Sequence, residues 1–245
     1  MALVALVGFL SVTDVQAQTM SWSDRAIVSI SVSGQEPASS TFAGTTSRSI
    51  YLETATTSST YSVRRGISYD GGVLIRIAGG FAVGVAASSF SKSSDAAVSG
   101  SVPHPLVFNS PRSINGTAAS LARSEVAAHV QAGYVIASGK IVAAIVGGPT
   151  YFVVSQDLVS DVSFSEAYPY DTTAFSAATK TKASSNRIGF NVGCDIGVKF
   201  SQNVGVGGIL RFSRTSVSFP AVGSAASVTT DAGGFQGGGG IRFYF

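Results

Sequence analysis

The sequence predicts an all-β fold: a closed antiparallel β-barrel that crosses a membrane, with eight strands, short turns at one end and long loops at the other. Three observations predict it. Stretches of the chain alternate apolar and polar residues with a period of two, so that one face of each strand is greasy and the other polar. The connections between these stretches alternate long and short. Charged residues make up only 12 % of the 245 residues and the mean hydropathy is positive. Yet no run of about 18 apolar residues exists to form a spanning helix. The hydrophobicity is spread by alternation, as in a barrel wall.

Composition closes off other classes. The 16 basic and 13 acidic residues give a formal charge of +3, too small and too dispersed to hold nucleic acid. One cysteine, Cys194, forms no intrachain disulfide, and with two histidines in the chain a structural zinc site is not expected. No cofactor is expected either. The 28 glycines, with abundant Ser, Thr and Ala, suit strands packed around a crowded lumen.

Residues 1–17 read as a secretory signal, an apolar core A-L-V-A-L-V-G-F-L followed by Val15-Gln16-Ala17 with a cut after Ala17. No Lys or Arg precedes the apolar core, which a start further upstream would explain. The barrel domain is then 18–245. Its first strand spans 25–35, with Ala26, Val28, Ile30 and Val32 on one face and Ser29, Ser31 and Ser33 on the other. Residues 36–60 read as a polar loop. Within it, 45–54 has strand composition, either a hairpin above the membrane or, in a ten-stranded alternative, a membrane strand.

The second strand reads through Asp70-Gly71-Gly72, because Tyr61, Val63, Ile67, Tyr69, Val73, Ile75 and Ile77 keep one parity. Residues 73–78 alone are shorter than the roughly 9–11 a spanning strand needs. Arg65 interrupts that lipid face and is expected above the membrane. After the tight turn Ala78-Gly79-Gly80, Phe81, Val83, Val85 and Ala87 begin the third strand. A long loop, 94–115, follows; at its end Asn115-Gly116-Thr117 matches a glycosylation sequon and reads as a turn.

The fourth strand, 117–136, sets Val126, Ala128, Val130, Ala132, Tyr134 and Ile136 against Arg123, Glu125, His129 and Gln131. Residues 137–140 turn into a fifth strand that runs to about Gln156 and is apolar on both parities; Pro149 predicts a bulge in it. A loop over 157–183 leads to the clearest strand, where Ile188, Phe190, Val192, Cys194, Ile196, Val198 and Phe200 face lipid and alternate with Arg187, Asn191, Asp195 and Lys199. A short turn, 201–203, precedes the seventh strand, and a loop over 219–228 precedes the closing one. Six of the seven prolines fall in the long connections, as a sheet without edges requires.

The closing strand carries Phe235, Ile241, Phe243 and Phe245 on one parity and Gln236, Arg242 and Tyr244 on the other. Its octet 238–245, with Gly240, Phe243 and the terminal Phe245, resembles the C-terminal signal by which bacterial outer-membrane β-barrels are recognised by their assembly machinery. The chain from 18 onward likewise resembles the small eight-stranded outer-membrane barrels with an OmpA-like transmembrane domain. That resemblance implies export, residence in the outer membrane of a Gram-negative bacterium, contact with its lipids, engagement of the assembly machinery through the last strand, and a monomer. A ten-stranded barrel and a soluble lipocalin-like barrel are the alternatives; the latter would turn the charges outward.

On the polar parity lie Arg64, Asp70, Arg76, Arg123, Glu125, His129, Gln131, Arg187, Asn191, Asp195, Lys199, Arg211, Gln236 and Arg242. Eight strands leave a lumen that side chains fill, and unpaired buried charge is costly. Asp70, Glu125 and Asp195 are therefore each expected against an Arg or Lys. A structural or surface-interaction protein is the leading reading. A narrow anion-preferring pore and a lipid-processing hydrolase are the alternatives, although no serine is placed by the sequence beside His129 or His104. The glycine runs at 205–208 and 237–240 lie within strands with no helix to follow, so they are not phosphate loops. Phe90, His104, Leu106, Phe108, Tyr168, Tyr170, Phe175 and Phe219 are expected to furnish a loop surface for an extracellular ligand.

Overall fold

Antiparallel pairing closes the sheet into a ring in which the last strand returns to the first. The computed structural model describes residues 24–245, so the expected signal segment lies outside the described residues. Ten strands form: β1 (Ala26–Pro37), β2 (Thr41–Ile50), β3 (Glu53–Ser62), β4 (Gly66–Ala78), β5 (Phe81–Val102), β6 (Arg112–Ser138), β7 (Ile141–Glu166), β8 (Thr173–Lys199), β9 (Val204–Phe219) and β10 (Val228–Tyr244). The closed ring runs β1-β4-β5-β6-β7-β8-β9-β10 and back to β1. Ten strands therefore form where eight were expected, eight of them in the closed ring, and the segment 45–54 lies in a hairpin outside it. The two added strands, β2 and β3, pair with each other, and β3 pairs with the far end of β5 at 96–101. They continue β1 and β4 beyond breaks at 38–40 and 63–65.

Three short turns, at Gly79-Gly80, Gly139-Lys140 and 200–203, lie at the end where Arg25 and Ala26 bond to Phe245. Gly79 and Gly139 sit at φ 55° and 58°, a left-handed geometry for which glycine is the least strained residue. The opposite, loop end differs most from expectation. The residues read as long loops are mostly strand: β5 extends to Val102, β6 begins at Arg112, and β7 and β8 are separated only by 167–172. Asn115-Gly116-Thr117 lies within β6, paired with residues 97–99 of β5, so it is not a turn. Their Ser and Thr content, which reads as loop, belongs to a wall facing water. Pro149 makes no bulge. The β6–β7 register is the same on both sides of Gly148-Pro149, and the Asn191 amide donates to the Gly148 carbonyl at 2.9 Å.

The wall has two halves with opposite polarity. In the half near the short turns, the outward residues are apolar and exposed: Ile30 and Val32, Ile67 to Ile77 on one parity, Phe81, Val83 and Val85, Val126 to Ile136, Ile188 to Phe200, Val206 and Leu210, Phe235 and Ile241. Such a belt cannot face water as a monomer, whereas a closed sheet with every strand paired can face hydrocarbon. This half is transmembrane. Beyond it the outward residues become Ser, Thr and Lys, and a buried core fills the interior. That core includes Phe42, Tyr61, Val98, Ile114, Leu121, Phe152, Val154, Leu158, Val217 and Phe219. Outside the bilayer, burial of each such side chain stabilises by about 1.5–3 kcal/mol.

Strand irregularities accompany the exchange. Tyr61 and Val63 share parity with Ile67 and Tyr69, yet Tyr61 is 3 % exposed and Ile67 59 %. The break at 63–65 turns the face over, which corrects the expectation of one continuous lipid face. In β6 a left-handed Ser120 does the same between Ile114 and Leu121. At the loop end, the outer part of β7 reaches across the mouth. The Val159 amide donates to the Tyr61 hydroxyl at 2.9 Å, the Ser224 amide donates to Ser160, and Arg48 pairs with Asp161 at 2.8 Å. Leu158, Val159 and Ser160 are consecutively buried as a result.

An arginine placed on the outward face distinguishes the two halves. Ile196→Arg is expected to destabilise the protein by about 2–4 kcal/mol, the cost near a bilayer midplane, while Ser99→Arg changes it by less than about 0.5 kcal/mol. Unfolding midpoints in lipid vesicles over a denaturant series measure both.

Candidate functional site

Inward residues of the transmembrane half come from polar positions of alternating strands, so their side chains converge on one narrow axis. Nearest the short turns, Arg242 is fully buried; its Nε reaches both Asp195 oxygens at 3.0 Å, its Nη2 reaches Asp195 Oδ2 at 2.5 Å, and its Nη1 donates to Ser31 Oγ at 2.9 Å. Lys199 pairs with Asp24 at 2.5 Å and sits 4.5 Å from the centre of the Tyr244 ring. In the middle, Arg211 and Asp70 form a buried pair. Beside them the His129 imidazole lies 3.0 Å from Ser88 Oγ through Nε2 and 2.8 Å from Thr150 Oγ1 through Nδ1. Asn191 extends that chain to Thr150 at 2.9 Å and accepts from Gln131 at 3.1 Å.

At the top of the belt Arg123 Nε donates to Glu125 at 2.7 Å, and Glu125 also accepts from Gln35 at 3.2 Å and from the Gly233 amide at 2.9 Å. Gln236 donates to Gln35 at 2.8 Å. Asp70, Glu125 and Asp195 thus each face an arginine. Arg76 is half-buried. Two residues lie elsewhere than expected: Arg64, in the break at 63–65, and Arg187, beyond the point where β8 parts from β9, are both exposed and belong to no lumen network.

Parity alone would have found Gln35, which joins Glu125 to Gln236. Nothing local marks Ser88, one of many serines; only the β5–β6 register, Ala86 opposite His129, puts it there. The imidazole meets a threonine hydroxyl on its far side instead of a carboxylate, so the pair is one link in a relay of hydroxyls and amides and lacks the orienting acid of a hydrolytic triad. A cavity of about 50 Å³ lies between Arg242 and Arg211, lined also by Asp195, Gln131, Ala86 and Ala144. It has room for roughly three or four waters. Among the described residues no group of three or more His, Cys, Asp or Glu stands together as a metal site. Cys194 is a free, half-buried thiol on the lipid-facing parity.

The loop end forms a second polar assembly. Glu166 accepts from the Tyr51 hydroxyl at 2.5 Å and pairs with Arg112 at 2.6 Å, while Arg112 also donates to the Tyr170 and Pro103 carbonyls at 2.8 and 2.6 Å. The Asn109 amide donates to Glu53 at 3.0 Å. Three connections, 51–52, 103–111 and 167–172, are thereby tied together, and they leave Leu52, Leu106, Val107, Phe108 and Tyr168 exposed at the tip. Phe90 and Phe219 are buried and Phe175 packs on the core, so these three are not part of the loop surface. Burial alone would raise the Glu166 pKa, but the hydrogen bonds from Tyr51 and Arg112 and the Arg112 charge outweigh it and hold the carboxyl below its ordinary value. The Tyr51 phenol is raised, first by that same bond.

No family model matches the chain, and no curated protein does. Among solved structures it is similar to Neisserial surface protein A (12 % identity, 90 % of this chain and 97 % of that one, TM-score 0.40), to the outer membrane protease OmpT from Escherichia coli (9 %, 91 % and 97 %, 0.41) and to Ail, the attachment invasion locus protein of Yersinia pestis (10 %, 89 % and 99 %, 0.30). At these scores the likeness bears on neither mechanism nor ligand.

Truncating one partner of the central pair leaves a buried charge. Asp70→Leu is expected to cost about 3–5 kcal/mol, and adding Arg211→Met to recover most of it; a double-mutant cycle of unfolding free energies measures the recovery. The Glu166 clasp is pH-dependent in a defined direction. A depressed folded pKa contributes stability that is present above the unfolded value, about 4.3 for Glu, and lost as pH falls through the folded one. Hydrogen exchange at the 51–52 and 167–172 connections is expected to accelerate below that range, and Glu166→Gln to remove the dependence.

Proposed function

We propose that the chain is an outer-membrane β-barrel of a Gram-negative bacterium, monomeric, whose transmembrane half anchors a rigid extracellular half that acts through its loop end as a structural or surface-interaction protein. The observation that carries this reading is the occupied interior, with paired charges inside the belt, broken by the cavity of about 50 Å³ between Arg242 and Arg211, and an apolar core beyond it. Binding surfaces in such proteins concentrate on the connections, and here the connections are held by the Glu166 clasp and expose large apolar side chains.

The terminal strand supports an assembly role for Gly240, Phe243 and Phe245. It closes the barrel by pairing with β1 over 27–37, and Phe245 stays exposed at the short-turn end. A pore would need a water path past Arg242 and Arg211, and past the outer part of β7 across the mouth. Ser88 and His129, the serine and histidine in hydrogen-bond contact, are both buried inside the wall, away from any lipid substrate.

Planar-bilayer recording of the reconstituted protein tests the reading. Conductance at background level is expected across a range of salt concentrations. A stable open state with anion preference would replace the anchor reading with the pore.

A further inference from the structure

Beneath the apolar tip lies a cleft of about 400 Å³ between the β5–β6 and β7–β8 connections, lined by His104, Arg112, Ser113, Asp171 and Thr173 among others. That volume is in the range of small-molecule sites. Its polar groups are arranged in a way the anchor role does not require. His104 is buried, and its Nδ1 accepts from the Leu106 and Val107 amides, both at 3.1 Å. With Nδ1 used as an acceptor, Nε2 carries the ring proton. That N–H stands 4.0 Å from Asp171 Oδ1, too far to bond it directly. A single hydroxyl about 2.8 Å from each would close the gap, accepting from His104 and donating to Asp171. Thr173 spends its proton on the Ser113 carbonyl at 3.2 Å, which leaves its oxygen free to accept a further one.

Charge decides the ligand class. Arg112 is the cation in the wall; Glu166 neutralises it and two carbonyls accept from its Nη1 and Nη2, and only its buried Nε is left without a partner among the described residues. Asp171 is largely exposed and, among the described residues, no Lys or Arg is bonded to it, so the uncompensated charge at the cleft is negative and disfavours an anionic ligand. The groups left over want a ligand rich in groups that both donate and accept. Such a ligand also carries apolar C–H faces, and the cleft wall sets Pro111 beside its polar groups. We propose that this cleft binds a neutral saccharide unit, with one ring hydroxyl bridging His104 Nε2 and Asp171. The inference deepens the surface-interaction reading by naming the chemistry of the partner.

The experiment is saturation-transfer NMR on the whole protein in a detergent without a sugar headgroup, against free neutral hexoses and, in parallel, glucuronate. A neutral hexose is expected to show transfer at millimolar concentration, with glucuronate weaker by at least about tenfold. Asp171→Asn, at an exposed position that leaves the barrel intact by its heat-dependent gel mobility, is expected to weaken hexose binding by about tenfold, the value of a hydrogen bond to a charged group. Equal binding by the variant, stronger binding of glucuronate, or no transfer to any hexose would overturn the proposal. The readout is independent of bilayer conductance, so a blank here leaves the anchor reading standing, and a conducting channel would not by itself remove the cleft.

Discussion

Every long strand of this barrel passes from hydrocarbon into water, and its apolar atoms have to change sides where it does so. Inside the bilayer the tails solvate the outer face, so nothing drives apolar groups inward, and polar groups must find partners within the ring. Outside it, water surrounds the wall and the hydrophobic effect drives apolar groups to the centre. β5 shows both regimes on one strand: Phe81, Val83 and Val85 are exposed near the short turns, whereas Ala96, Val98 and Val102 are buried near the loops.

The consequences reach the lumen and the mouth. Because the membrane half is polar inside, its few charges are paired and bonded, and the asymmetry of buried pairs makes each partner intolerant of the other's loss. Because the outer half has a core, its connections need not be long: β5 to β8 carry the wall outward and the loops are reduced to a tip. That tip is then held by a few polar contacts through Glu166 and Arg112, which is what gives the cleft beneath it a fixed shape.

The strand from Ile188 to Phe200 was legible in the sequence because large apolar residues alternate there without interruption, and parity placed the paired lumen charges Asp70, Glu125, Asp195, Arg123, Arg211 and Arg242 but misplaced Arg64 and Arg187. The outer half was not. Its inward residues at 96–102 are small or separated by serines, so a buried face and a polar loop have nearly the same composition, and the loop reading won. The breaks at 63–65 and 38–40 were hidden for another reason: parity is conserved from Tyr61 to Ile77 although the face is not, and only a three-dimensional path shows the turnover. Ser88 and Gln35 divide the same way, the first set by cross-strand register, the second readable from its own strand.

The central claim is that the same outward face of a strand meets lipid at one end and water at the other. Nitroxide labels placed singly at outward positions 81, 83, 85, 97, 99 and 101 of β5, in vesicles, report it through collision with oxygen and with a polar nickel chelate. Oxygen should dominate at 81, 83 and 85 and nickel at 97, 99 and 101, with the crossing between 87 and 97. Oxygen dominance along the whole strand, or nickel dominance along the whole strand, would contradict the account.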